Sequence, residues 1–301
     1  MSEAGQENVV FERLKDGAQS AVDAGRLEEA AVLIERAFAW AQENGTPQEI
    51  DHAICNRAAV SIQLGNGEPE LPKLREILLR GSDPNNCRLA AYHISVYYQY
   101  VKNFQKSLFY ARIARDRAQI LSSGEWLATS LNQVGNALLG ASFVEEAARE
   151  YERALELFPY QLHYGRALIL DNLGYCRILQ KRFREGYTCL YKSLSIYRRL
   201  GVERYRVLPH LDLCFAHLET GRLAYAEFHG RTALRLAEKT QYADGIKNAL
   251  YLLGEVASLT GEGEAAHDHF SRLQTEFFPG QTYLPSFLLA VDVRKLVNLH
   301  A

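Results

Sequence analysis

The feature that most constrains the fold is a recurrence of small side chains every 37 to 40 residues along the chain. One set lies at Ala30, Ser107, Ala147, Gly186, Ala226 and Ala266, with Glu70 at the second position. Twelve residues before these come Ala18, Ala58, Ser95, Gly135, Gly174, Cys214 and Gly254. Small residues repeat in this way where neighbouring helices cross closely, because a larger side chain would push the helices apart. The pattern therefore predicts a tandem array of helix pairs.

The stretch 125–159 shows one such pair most clearly. Gly135 lies in its first helix, Ala147, Tyr151 and Ala154 lie on one face of its second, and Pro159 closes it. This pattern resembles the tetratricopeptide repeat, L-G-x2-Y followed by A-x3-F and P. The resemblance implies an all-α, right-handed superhelical solenoid, since one pair cannot bury its own apolar face.

The positions of the landmarks set the expected boundaries. We expect one solenoid domain over residues 1–301, with about seven helix-turn-helix repeats and a C-terminal capping helix at about 283–300. The repeats are predicted at about 8–44, 48–82, 85–121, 125–159, 164–200, 204–240 and 244–278. The second repeat departs most from the pattern, because Pro69 and Pro72 delay the start of its second helix to near Pro72.

Composition excludes several classes of protein. The chain of 301 residues is 48% hydrophobic, yet it has no uncharged apolar run long enough to span a membrane and no readable export signal. We therefore expect a cytoplasmic protein without a membrane partner. Five cysteines without a C-x-x-C pair favour core positions over disulfides. A net charge of −2 makes nucleic acid an unlikely partner.

Catalytic motifs are absent from the sequence. It contains no Walker loop, no G-x-S-x-G and no H-E-x-x-H. His267 and His269 suggest a metal site, but residues two apart on a helix point to different sides. The sequence therefore predicts a protein that is not an enzyme and needs no cofactor.

The candidate binding residues follow from the resemblance, which implies that the first helices line a concave groove. The positions that face it carry Tyr92, Gln99, Asn132, Asn136, Asp171, Tyr175, Tyr251 and Glu255. Amides both donate and accept hydrogen bonds, so Asn132 and Asn136 are suited to a peptide backbone. They are similar to the asparagines of peptide-pheromone receptors of the same repeat class. The alternative is that both asparagines face water and the tyrosines pack between helices.

The function expected from these features is binding. We predict a non-catalytic scaffold whose groove holds an extended peptide or a partner helix. The alternative is a ligand-responsive sensor, like a peptide-signal receptor, that acts through a separate effector.

Two other surfaces are candidates for partner contacts. A basic patch is formed by Arg177, Arg182, Arg184, Arg198 and Arg199, unless these are only solvated helix faces. The C-terminal helix is expected to cap the array or to form a homodimer contact.

Overall fold

The chain folds into helices throughout its described part. The computed structural model describes residues 3–158, 161–294 and 298–300, and within them no strand forms. These residues divide into two compact units, 1–161 and 162–300. The first unit contains α1 Glu3–Asp23, α2 Leu27–Asn44, α3 Pro47–Gln63, α4 Leu71–Arg80, α5 Pro84–Tyr100, α6 Phe104–Ile120, α7 Gly124–Gly140 and α8 Val144–Leu157. The second contains α9 Tyr164–Leu179, α10 Phe183–Leu200, α11 Val207–Glu219, α12 Leu223–Lys239, α13 Ala243–Thr260, α14 Gly263–Phe277 and α15 Leu284–Ala290.

The helices pair in the predicted way, from α1 with α2 to α13 with α14. Within each unit, the first helices of consecutive pairs also contact one another: α3, α5 and α7 in the first unit, and α9, α11 and α13 in the second. The all-α fold of seven helix-turn-helix repeats is thus confirmed. That both units form one continuous solenoid stays a prediction.

The turn inside each pair has the same backbone geometry in all seven repeats. Seven residues after the small residue of the first helix, φ is positive: Gly25 80°, Gly65 80°, Lys102 58°, Ser142 66°, Lys181 59°, Gly221 68° and Gly261 80°. This left-handed conformation ends the first helix and directs the chain into the second. Four repeats meet the requirement with glycine. The other three accept the strain of a side chain there.

The small positions lie where the two helices of a pair touch. A Cβ atom added at Gly135 would lie 2.5 Å from the Tyr151 ring, and one at Gly254 would lie 2.3 Å from the Phe270 ring. Ala147, at the matching position of α8, has no exposed surface. The small residues therefore recur in the sequence because the helices of each pair cross closely at these positions.

In the second repeat, the position that carries a small residue elsewhere in the array carries the charged Glu70. A 3₁₀ turn over Glu68–Glu70 precedes α4, and Pro72 lies in the first turn of that helix. Glu70 accepts a 2.9 Å hydrogen bond from Arg57, and the Arg57 guanidinium lies 4.1 Å from the Phe38 ring centroid. The departure at Glu70 therefore marks an ion pair that joins the turn to α3.

The predicted capping helix is shorter than expected. Only Leu284–Ala290 is helical, residues 291–294 and 298–300 are not, and Leu296 lies outside the described residues, as does Pro159. Asp292 accepts hydrogen bonds from the backbone N–H and the guanidinium of Arg294, a local turn that competes with a helix. The extent of 283–300 was therefore wrong.

A homodimer contact through α15 stays a prediction. The side chains of Phe287 and Leu289 on this helix are 44% and 38% exposed. No helix in the described ranges is long and apolar enough to cross a membrane. All five cysteines are free thiols, and four of them are buried.

Substituting Gly135 tests the close crossing. In Gly135→Ala the new Cβ would clash with the rigid Tyr151 ring, so we expect the free energy of unfolding in urea to fall by about 1–3 kcal/mol. Gly263→Ala is the matched control, since a Cβ there meets nothing within 4 Å. Equal stabilities of the two variants would contradict the crossing.

Candidate functional site

The candidate residues of the first unit form an amide network that joins three helices. Gln133 on α7 donates 3.0 Å hydrogen bonds to Ser95 and to Gln99, both on α5. Asn136 donates to Gln133 at 3.2 Å and accepts from the Tyr151 hydroxyl on α8 at 2.9 Å. Gln99 and Asn136 therefore stabilise the unit, because they form hydrogen bonds with polar groups that burial would otherwise leave without partners.

The alternative in which both asparagines face water is wrong. Asn132 is only 3% exposed, and Asn136 is half-buried. Tyr92 is half-buried and lies edge-on to the His93 ring, with centroids 5.4 Å apart. The sequence pattern could not show that this helix face is closed by contacts within the unit, and a peptide contact there stays a prediction.

The candidate residues of the second unit lie on α9 and α13 and are all buried. Asp171 and Tyr175 are 1% and 0% exposed, and Tyr251 and Glu255 are 8% and 6% exposed. Between these helices lies α11, which contributes Asp212, with no exposed surface. We call the surface formed by Asp171, Tyr175, Asp212, Asn248, Tyr251 and Glu255 the acidic groove.

A segment of the chain itself lies on this groove. The Leu299 backbone N–H donates to the Tyr175 hydroxyl at 3.1 Å, and the Asn248 amide donates to the Leu299 carbonyl at 3.3 Å. The His300 ring stacks on Tyr175, with centroids 4.2 Å apart and planes 11° apart. Residues 298–300 therefore contact α9 and α13 through backbone hydrogen bonds and ring stacking.

A buried carboxylate receives the histidine of this segment. His300 Nε2 lies 2.9 Å from both carboxylate oxygens of Asp212 on α11. Burial raises the pKa of Asp212, and the nearby His300 opposes that shift. An imidazole N–H that donates to a dry carboxylate makes a strong, charge-assisted hydrogen bond.

A second buried carboxyl group lies near Asp212 and lacks such a partner. Neither carboxyl oxygen of Asp171 has a hydrogen-bond partner among the described residues. Burial, and then the Asp212 carboxylate, raise the pKa of Asp171 well above its usual value. The groove thus holds two buried carboxyl groups close together, and among the described residues only Asp212 has a hydrogen-bond partner, the His300 ring.

The far end of the groove pairs with an arginine. Glu255 on α13 lies 3.5 Å from the Arg294 guanidinium. Burial raises the pKa of Glu255 to about 7, while Arg294 opposes the shift. The same groove therefore contacts the segment at two cationic or potentially cationic side chains, Arg294 and His300.

Sequence reasoning missed Asp212, Asn248 and His300. Asp212 is the single acid in the apolar run from Val207 to Leu218, and a lone charge in such a run was an available signal. Asn248 lies six residues before Gly254, outside the positions that the repeat pattern predicts to face the groove. His300 could not be found, since nothing in the local pattern shows where a non-helical segment returns.

The predicted basic patch is split along α10. Arg177 and Arg182 both pair with Glu185 near the start of the helix, at 3.5 and 2.6 Å. Arg184 lies in the same first turn, whereas Arg198 and Arg199 lie in the last turn, about 20 Å further along the helix. The five arginines are therefore not one contiguous surface. A partner contact there stays a prediction.

The groove is suited to holding a peptide backbone and a basic side chain. The Tyr175 hydroxyl and the Asn248 amide contact backbone groups, and the carboxylates of Asp212 and Glu255 contact the His300 ring and the Arg294 guanidinium. In the described part of the chain, no group of three or more His, Cys, Asp and Glu side chains is placed to hold a metal ion.

Comparisons with known proteins bear on the fold. No protein-family model matches the chain, and no curated protein matches it. A Rap protein complexed with Competence and Sporulation Factor has a TM-score of 0.71 at 13% identity, over 97% of this chain and 79% of that one. A tetratricopeptide repeat protein from Parabacteroides merdae scores 0.56 at 15% identity, over 93% and 98%. PilW, a type IV pilus biogenesis factor, scores 0.59 at 21% identity, over 79% and 98%. These likenesses confirm the fold class.

The hydrogen bond between Asn136 and Tyr151 is tested by a double-mutant cycle. Asn136→Ala removes the acceptor of the Tyr151 hydroxyl and the donor to Gln133 Oε1, so we expect a loss of about 1–3 kcal/mol in the free energy of unfolding. In a Tyr151→Phe background the same substitution should cost less, since one partner is already gone. Strictly additive losses would contradict the bond.

The buried Glu255 predicts a pH effect on stability. Its pKa is raised from 4.5 to about 7, so between these values the folded chain binds more protons than the unfolded chain, and stability falls as pH rises. Glu255→Gln removes this loss. The variant's free energy of unfolding should therefore rise relative to wild type from pH 4.5 to 7. The exposed Glu264→Gln is the control, and a curve for Glu255→Gln parallel to wild type would refute the assignment.

Proposed function

We propose that this chain, a helical repeat protein of the tetratricopeptide type, is a non-catalytic scaffold that binds a non-helical peptide in the acidic groove of its second unit. The observation that carries this proposal is that residues 298–300 already lie there, held through backbone groups and the His300 ring. A surface that binds one peptide segment in this way is suited to bind another of the same chemistry.

The contacts indicate which peptides would be selected. Tyr175 and Asn248 bond to the backbone of Leu299, and these bonds are available to any residue at that position. Asp212 and Glu255 instead contact side chains, His300 and Arg294, that lie six residues apart in the sequence. The expected ligand is therefore a basic peptide with an imidazole or other cation at the Asp212 end and an arginine or lysine at the Glu255 end.

Residues 292–294 and 298–300 act as an internal competitor in this proposal. They are tethered to the groove, so their effective concentration there is far above that of a free peptide. An external ligand has to displace His300 from Tyr175 and Asp212 before it can make the same contacts. Apparent affinity is reduced by the fraction of molecules in which the groove is filled.

A ligand-responsive sensor that acts through a separate effector is the second candidate. It is favoured by the same segment, because a ligand that replaces residues 298–300 would expose them to solvent. The Rap protein of similar fold is complexed with Competence and Sporulation Factor. X-ray scattering in solution distinguishes sensor from scaffold. If the profiles with and without a saturating peptide superimpose, the sensor is excluded.

Adding the segment in trans tests the proposed site. The probe is a fluorescent peptide with the sequence of residues 290–301, titrated by anisotropy into the full-length protein. His300→Ala in the protein removes the internal stacking and the bond to Asp212, so the probe should bind roughly tenfold more tightly than to wild type. His267→Ala, at an exposed histidine of α14, should leave the affinity unchanged.

A third variant identifies the groove. Asp212→Asn combined with His300→Ala removes the carboxylate that should receive the probe's histidine, so the gained affinity should be lost. Failure of the probe to bind His300→Ala would contradict the proposed function. Undiminished binding to the double variant would place the peptide site elsewhere.

A further inference from the structure

The second unit also carries a cleft, which lies mainly between the second helices of two of its pairs. A cleft of about 790 Å³ opens between α10 and α12, above the start of α11. Its walls carry the side chains of Tyr191, Arg198, Arg206, Tyr225, Phe228 and Arg235. The volume lies within the range of small-molecule sites. None of the six residues of the acidic groove lines the cleft, although α11 contributes to both, Asp212 to the groove and His210 to the cleft.

Its three arginines are uncompensated. The guanidinium groups of Arg198, Arg206 and Arg235 form no ion pair or hydrogen bond with any residue that the structure describes, and Arg206 Nε is buried. No Asp or Glu is among the residues lining the cleft. Glu203, whose carboxylate is within electrostatic range of Arg206 and Arg235, is paired with Lys239. By contrast, Arg231 on the same α12 pairs with Glu227 at 2.7 Å.

The floor of the cleft is a chain of neutral rings. His210 Nδ1 lies 2.9 Å from His229 Nδ1, and His229 Nε2 lies 3.4 Å from the Tyr191 hydroxyl. Burial lowers the pKa of His210 to about 3 and that of His229 to about 4, so both rings are uncharged at neutral pH. A hydrogen bond between two neutral rings requires one to donate and the other to accept.

The row of rings ends at a His210 nitrogen that has no hydrogen-bond partner among the described residues. His210 is 5% exposed, and its Nε2 has no hydrogen-bond partner among the described residues, although the residue lines the cleft. When His229 donates to His210 Nδ1, His210 Nε2 carries the hydrogen and can donate to a group in the cleft. A buried donor without a partner is costly, and a bound acceptor removes that cost.

Exposed aromatic rings complete the site. Tyr225 and Phe228 on α12 are 62% and 61% exposed, and Tyr191 on α10 is 47% exposed. Large rings exposed together at the mouth of a cationic cleft offer flat surfaces on which a ligand ring can stack. Guanidinium groups match the paired oxygens of a phosphate group, which carries enough charge to balance more than one of them.

We propose that this cleft binds a phosphate ester that carries an aromatic base, a nucleotide. The phosphate contacts Arg198, Arg206 and Arg235 and accepts from His210 Nε2, and the base stacks on Tyr225 and Phe228. Inorganic phosphate alone would forgo the stacking, and a nucleoside alone would leave the arginines unbalanced. The proposal does not depend on a peptide in the acidic groove.

Calorimetric titration of the full-length protein tests it, with adenosine monophosphate, adenosine and inorganic phosphate as separate probes. The nucleotide should bind at least about tenfold more tightly than either fragment. Arg198→Gln with Arg235→Gln, both at exposed positions, should weaken the nucleotide by about tenfold or more. Phe228→Leu keeps apolar area but removes the ring, and should weaken the nucleotide while leaving phosphate unchanged. Arg231→Gln is the matched control and should change nothing.

Three outcomes would overturn the proposal. The first is the absence of nucleotide binding at about 1 mM. The second is inorganic phosphate binding as tightly as the nucleotide, which would make this a site for anions without a base. The third is an equal effect of Arg231→Gln and the double arginine variant, which would show only attraction between a basic helix and any anion.

Discussion

The close contact between the two helices of each repeat is the constraint on which the other features depend. The contact is so close where Gly135 packs on Tyr151, and where Gly254 packs on Phe270, that not even one carbon atom could be added to either glycine. Because these crossings fix where each second helix lies, they also fix which residues of the first helix point away from it. The positive-φ residue of each turn, from Gly25 to Gly261, keeps the two helices in the register that the crossing needs. Polar groups on the first helices are thus held in place by packing, and binding does not have to order them.

The two units use the same helix face in different ways. In the first, Gln133, Asn136 and Tyr151 satisfy one another, and this makes their face part of the internal structure. In the second, Asp171 and Asp212 are buried acids that no neighbouring helix satisfies, and the partner of Asp212 comes from residue 300. A buried carboxylate without such a partner destabilises a fold. That cost is the physical reason to regard the acidic groove as a binding surface and the amide network as a structural one.

Much of the fold could be predicted from the sequence, because its determinants are local. The period of small residues gave the seven pairs, and the glycine turns gave their register. The candidate site was predicted only in part. Asp171, Tyr175, Tyr251 and Glu255 lie on α9 and α13, but the contacts of Tyr175 with Leu299 and of Glu255 with Arg294 depend on a return of the chain that has no periodic signature. The predicted length of α15 is too great, although the apolar residues follow a helical pattern. The Arg294 backbone N–H donates a hydrogen bond to Asp292, and this local turn competes with the helix. The arginines were grouped by their nearness in sequence, whereas α10 separates them along its length.

The return of residues 298–300 also sets an order of assembly. Nearly all contacts between helices join elements that are adjacent or next but one along the chain, so each repeat can form as soon as its neighbour does. The bonds of Leu299 to Tyr175 and of His300 to Asp212 instead close loops of 124 and 88 residues. Closing such a loop is useful only after α9, α11 and α13 have formed the surface that receives it. These contacts are therefore the last to form and the first to open. The Leu299 amide should exchange with solvent through a local opening, well before the amides of the helices beneath it.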